Sequence, residues 1–164
     1  MPVAGTTTNA SQTASSADGS SAAPASTVTS ATATGTLTGD GLCALVSPAQ
    51  AQEALAVSPS VSDQEPGTFV NGEPECGFAS DDNRTVIVNV VVFDGAKNPF
   101  NSGKFEMADG APSAVTVAGH QAAVSSTELD IADGDKVLTI ENFGSANASS
   151  DGLIALGKLF LAKL

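Results

Sequence analysis

Two cysteines, one histidine and a run of carboxylates are the side chains of this chain that could do chemistry. Cys43 and Cys76 have no histidine or further cysteine close by and no Cys-x-x-Cys occurs, so redox catalysis and zinc binding lack support. Paired, they would close a loop of about 34 residues, worth roughly 4 kcal/mol in the chain-entropy account. Unpaired, they are two separate buried thiols. An even count fits an oxidising compartment outside the cytoplasm. His120 follows Gly119 and has Ser125, Ser126 and several acids near it in sequence. That permits a hydrolase built on His120 and a nearby acidic residue, but no Gly-x-Ser-x-Gly or comparable nucleophile context is present. A lone histidine beside a glycine reads first as a turn or surface residue.

Glu128, Asp130, Asp133 and Asp135 form the densest acidic cluster, and Asp133-Gly134 has the look of a calcium loop. Placing Gly134 at the glycine position of such a loop puts Leu129, Ile131 and Ile140 where ligands must stand. The cluster therefore reads as a hairpin turn with solvated carboxylates. Phosphate-cradling glycine loops are absent. The seven Phe are spread through the expected elements and read as core, and the lack of Trp and Tyr weakens any sugar-binding reading. Asn83-Arg84-Thr85 and Asn147-Ala148-Ser149 match the glycosylation sequon. No catalytic, cofactor-binding or metal-ligating set emerges, which leaves Cys43 and Cys76 as the residues singled out.

Charge and composition frame those residues. Lys and Arg number 6 against 18 Asp and Glu, a formal charge of −12. Nucleic acid and anionic membrane surfaces need a positive face to displace counterions, so neither is an expected partner. No apolar run approaches the ~20 residues that cross a bilayer. Residues 1–38 hold 10 Thr, 9 Ala, 7 Ser and 3 Gly, with Asp18 their one charge. Such a segment cannot bury enough apolar surface to fold, and reads as a disordered tether reaching roughly 30–40 Å. Residues 39–164 carry 34 Leu, Ile, Val and Phe in 126 positions, enough for a single globular domain. Met1 runs into the tether without the basic and apolar regions of a signal peptide. Either the protein is cytoplasmic or a leader has been removed, and the cysteine pair favours removal.

The elements that must position these groups follow from local signals. Ser47-Pro48-Ala49-Gln50 predicts a helix start with a capping box, running to about Ala56 with Leu45, Ala51, Ala54 and Leu55 available to the core. Residues 58–74 read as loop, with a short strand at Thr68-Phe69-Val70. Glu75–Ala79 reads as a strand, and Asp81-Asp82-Asn83 as a turn into the next. Thr85–Phe93 is the strongest strand, apolar on both faces except at Asn89, which predicts a central position. Asn98-Pro99 opens a short helix with Phe100, Lys104 and Met107. Ala114–Ala118 and Gln121–Ser125 are strands about a Gly119-His120 bend, and Lys136–Phe143 is the last strand. Ser149 or Ser150 caps a final helix over 151–162, with Leu153, Leu156, Phe160 and Leu164 at helical spacing. Strands this closely spaced leave no room for helical crossovers, so the fold class is α+β: a mainly antiparallel sheet with helices packed on one face.

Gly41-Leu42-Cys43-Ala44-Leu45-Val46-Ser47-Pro48-Ala49-Gln50, followed by Glu75-Cys76-Gly77-Phe78, resembles a family of secreted actinobacterial lipoproteins of unknown function. Those proteins open their domain with Cys-Ala-Leu-Leu-Thr-Pro-Ala-Glu and continue with a Cys-x-Trp/Phe strand. Ala118-Gly119-His120-Gln121-Ala122 resembles their Gly-x-x-Ala turn. The chain departs at Phe78, where Trp is frequent, and at Gln50, where an acid is frequent. The resemblance implies a Cys43–Cys76 disulfide and a cell-envelope location, with the membrane reached only through a lipidated cysteine upstream of residue 1. It implies no reaction. The expected function is thus a non-enzymatic, lipid-anchored accessory or binding domain on the extracellular face of the membrane. Its partner would be an envelope protein or a small ligand.

Overall fold

The computed structural model describes residues 36–80, 86–94, 112–143 and 148–164. All belong to one compact unit, Gly35–Leu164. The expected turn at 81–83, the helix opening at Asn98-Pro99 and the acceptor asparagines of both sequons lie outside these residues. So does the tether apart from its last three positions. Of those three, Leu37 packs against the core and Thr38 caps the first helix.

That helix, α1 (Gly39–Cys43), has only a few residues and two glycines, which explains why the local sequence did not announce it. It exists because its ends are attached. The Thr38 hydroxyl accepts from Gly41 N–H at 3.1 Å. Past its C-terminus the Gln64 side-chain amide donates to the carbonyls of Cys43 and Val46. Gly39 is needed for close approach: a Cβ there would lie 2.3 Å from Gly67 O and 3.0 Å from Glu75 O. Helix α2 (Pro48–Leu55) carries the expected capping box, with Gln50 N–H donating to Ser47 Oγ and Ser47 N–H to Gln50 Oε1. Ala51 and Leu55 are its buried residues.

The sheet has seven antiparallel strands: β1 (Asp63–Thr68), β2 (Pro74–Ala79), β3 (Val86–Asp94), β4 (Ser113–Val117), β5 (His120–Val124), β6 (Glu128–Asp133) and β7 (Lys136–Asn142). Their spatial order is β1-β2-β3-β7-β6-β5-β4. The last helix, α3 (Ser150–Leu161), starts at Ser149, whose hydroxyl accepts from Gly152 N–H. The α+β expectation is met, with α1 against β1 and β2, α3 against β6, and α2 against α3. The strong strand over 85–93 is indeed central, between β2 and β7, and both its faces are buried at Ile87, Val88, Val90, Val91 and Val92.

Residues directly opposite across a ladder share a face. Cys76, Val90, Ile140 and Leu129 form one such row, and Val92, Leu138, Ile131 and Ala122 the next. This is the helix side. Gly157 of α3 sits so close that a Cβ would meet Ile131 Cδ1 at 2.7 Å, and Phe160 meets Phe78 edge-on at 6.2 Å between centroids. Leu153, Leu156 and Phe160 are fully buried, whereas Leu164 lies beyond the helix and is exposed.

Cys43 and Cys76 are joined, with 5.2 Å between their Cα atoms. The bond carries α1 onto β2 at the β2 end of the first apolar row.

Two expectations are corrected. The segment 58–74 is not loop with a strand at 68–70: the strand is Asp63–Thr68, and Val70–Gly72 is a 3-10 turn. The sequence DQEPGT lacks apolar alternation because β1 is an edge strand held by its backbone ladder to β2. Glu128–Asp133 is likewise no turn but β6, in which Leu129 and Ile131 face the core and Glu128 and Asp130 point the other way. The turn is confined to the residues between Asp133 and Lys136.

Reduction, or the double change Cys43→Ser/Cys76→Ser, is expected to cost about 2–5 kcal/mol in urea unfolding. Gly39→Ala, which leaves the bond intact, is expected to cost about 1–3 kcal/mol by forcing α1 off the β1–β2 backbone. An unfolding midpoint indifferent to reductant would contradict this account of the bond.

Candidate functional site

Side chains with chemical potential collect at two places in the sheet. The first is the end where β3 finishes and β5 and β7 begin. There the β3–β7 ladder sets Asp94 directly opposite Lys136, and the β6–β7 hairpin sets Lys136 directly opposite Asp133. His120 opens β5 at the same end. Its Nδ1 lies 3.2 Å from the Ala132 carbonyl and 3.3 Å from Asp133 Oδ1, with both side chains about one-third exposed. A Nδ1–H held by two oxygens fixes the tautomer and leaves Nε2 as the basic nitrogen. His120 therefore does meet an acid. It does not meet Ser125, which lies beyond the far end of β5 and instead turns back on Thr127 and Glu128 N–H.

Beside this pair a cleft of about 410 Å³ opens between the entering chain, β2, β3 and the β6–β7 turn. Leu37, Pro74, Val92 and Phe93 give it an apolar wall, and Phe93 is braced edge-on by Phe69 at 5.9 Å. Asp94, Asp135 and Lys136 supply its charged groups. An apolar wall with a few charged groups at the rim is the usual make-up of a small-molecule pocket. Among the described residues, no three His, Cys, Asp or Glu side chains come together as metal ligands.

The second place is the sheet face opposite the helices. Glu65, Gly77, Asn89, Glu141 and Glu128 follow one another across five strands, and Glu75, Val91, Thr139 and Asp130 form the adjoining row. Asp130 is only 3% exposed and its carboxylate accepts from the Thr139 hydroxyl. Burial pushes its pKa up to about 7, the negative charges of Glu128 and Glu141 and a hydrogen bond with Glu128 push the same way, and the Thr139 hydroxyl opposes them. Glu141 is also raised, by burial and by the charges of Glu128 and Glu75. Like charges directly opposite repel, and with burial that repulsion raises Asp130 and Glu141 above the usual carboxylate range. The solvated carboxylates expected at Glu128–Asp135 are thus corrected for Asp130. The signal was Leu129 and Ile131, whose alternation obliges Asp130 to face inward on a second buried surface.

No family model, curated protein or solved structure matches the chain.

Stability should depend on pH with a definite sign. Between its ordinary value of 3.8 and about 7, Asp130 loses its proton in the unfolded chain but keeps it in the folded one. The folded state then binds more protons, so this contribution falls as pH rises through that window and levels off above it. Asp130→Asn, which keeps an acceptor for Thr139, is expected to be more stable than the native protein at pH 8 by on the order of 1–4 kcal/mol, the difference shrinking toward pH 4. Urea midpoints of both proteins across that range check it. A difference that does not vary with pH would contradict the buried proton.

Proposed function

We propose that the chain is an extracytoplasmic, non-enzymatic accessory or binding domain of a cell envelope. Residues 1–38 act as its tether to a lipidated cysteine upstream, as in the actinobacterial lipoproteins it resembles. The observation that carries this reading is the closed Cys43–Cys76 bond, in a chain with no free cysteine. Disulfides that staple a domain persist where the medium is oxidising. The motif residues around Cys43 and Cys76 support the kinship. The binding surface assigned here is the cleft beside Leu37, Val92 and Phe93, suited to a small molecule or side chain with an apolar body and a cationic group for Asp94 and Asp135. Its wall includes Thr36 and Leu37, so a ligand would sit at the point where the tether joins the domain.

A second reading is hydrolysis by His120 with Asp133, favoured by their 3.3 Å contact alone. His120→Ala would abolish hydrolysis on that reading and leave ligand binding at the cleft intact on the first.

Intact cells of an actinobacterial host expressing the chain with its native upstream region provide the test. The expected result is a membrane-fraction protein, cleaved by protease added outside the cells, whose cysteines take up maleimide only after reduction. Recovery in the cytosol with both cysteines labelled before reduction would overturn the proposal.

A further inference from the structure

We propose that the outer edge of β4 is a self-association site, pairing antiparallel with β4 of a second copy of this chain. Ser113–Val117 ends the sheet order, with no strand on its outer side among the described residues. Ser113, Ala114 and Thr116 are exposed. The strand runs into the tight turn Ala118-Gly119, whose φ angles of 51° and 92° are those of the mirror-image turn preferred by hairpins. The second of these angles is the reason for glycine there.

The turn fixes which backbone groups point outward. Val117 and His120 close the hairpin, and the turn's own hydrogen bond directs the Val117 carbonyl toward β5. Bonding alternates along an antiparallel strand, so Val115 and Ser113 also bond inward. Ala114 and Thr116 therefore present their N–H and C=O groups away from β5.

Charge and symmetry identify the occupant. The chain carries −12, yet Ser-Ala-Val-Thr-Val has no charged residue, so two copies can meet there without setting acid opposite acid. Edges that stay single are protected by charge, proline or a cover. The opposite edge, β1, has Asp63, Glu65 and Pro66, and α1 packs against it. Ser113–Val117 itself has no such charge or proline, with Pro112 just before it and α3 touching it far less than α1 touches β1. A two-fold axis through Val115 sets Ala114 of one copy opposite Thr116 of the other, and Ser113 opposite Val117. In that register the outward groups of Ala114 and Thr116 meet as hydrogen-bonded pairs, and Val115 faces its own copy at a non-hydrogen-bonded position. A single open edge among the described residues, used by a two-fold, closes at a dimer and does not propagate into a fibre. The paired stretch is short, so association is weak, with a dissociation constant on the order of micromolar or above.

Sedimentation velocity of the full chain from about 10 µM to about 1 mM is expected to show a monomer–dimer equilibrium. Thr116→Pro removes an outward N–H from each copy while sparing the ladder to β5, and should raise the dissociation constant about tenfold or more. Val115→Cys places two thiols opposite one another at a spacing that a disulfide spans, so mild oxidation should give a reducible covalent dimer. Thr116→Cys, offset from its copy and on the other face, should cross-link far less. A monomer at every concentration would overturn the proposal. So would a dimer indifferent to Thr116→Pro, or equal cross-linking at both positions. If Thr116→Pro does not fold, the two cysteine variants decide the question.

Discussion

The bond between Cys43 and Cys76 is the constraint on which the arrangement of this domain depends. A helix as short as α1, with glycine at two of its positions, does not persist by its own hydrogen bonds. It is held because Cys43 is tied to the fully buried Cys76, because Gly39 lets its backbone touch β1 and β2, and because Gln64 occupies the carbonyls at its C-terminal end. Those three attachments act in both directions. β1 has almost no apolar surface of its own, and its hold on the domain is its ladder to β2 together with the helix laid across it. The same attachments bring Leu37 onto the core and so place the entering chain along the cleft wall.

The two faces of the sheet are stabilised by different physics. On the helix side, apolar rows pack against α3 with the backbone at Gly157 almost in contact with the sheet, and the hydrophobic effect is the main term. On the other side, Val91 and Val137 are as deeply buried, but they share their surface with Asp130, Thr139 and a line of glutamates. A chain with three acids for every base cannot neutralise such a line by ion pairing alone. At Asp130 and Glu141, burial and the neighbouring acids raise the carboxyl pKa values instead. Stability and charge are therefore coupled at a place distinct from the cleft.

Much of the fold was legible because its signals are local. The capping box at Ser47 and Gln50, the doubly apolar run of β3 and the helical spacing of Leu153, Leu156 and Phe160 each specify their element within a few residues. What escaped depends on partners distant in sequence. DQEPGT becomes a strand because β2 offers a ladder, and GDGLC becomes a helix because Cys76, Gly67 and Gln64 hold it. The acids of 128–135 read locally as a turn, because the alternation of Leu129 and Ile131 that makes a strand is only two residues long. Of the candidate groups, the cysteine pair was legible from count and context. The His120–Asp133 contact follows from β5–β6 pairing, and the cleft from four separate segments, so neither is written in any one stretch of sequence.

The positions of the charges bear directly on how such a domain can meet other molecules. A net charge of −12 sets a repulsive field around the whole unit, and that field is weakest where acids are absent or balanced. Two such places are visible. At the cleft, Lys136 stands opposite both Asp94 and Asp133, so carboxylates there are partly balanced and an apolar wall is open beside them. At β4 the strand is neutral and, among the described residues, no strand pairs with its outer side. The first suits a compact ligand that needs shape and one or two charges, the second an extended strand that needs only hydrogen bonds. The cleft lies at the end of the central strands beside the start of the domain, and β4 borders the opposite edge from the helix-covered β1. Occupancy of one therefore need not obstruct the other, so the proposed ligand cleft and the proposed β4 pairing are compatible in one domain.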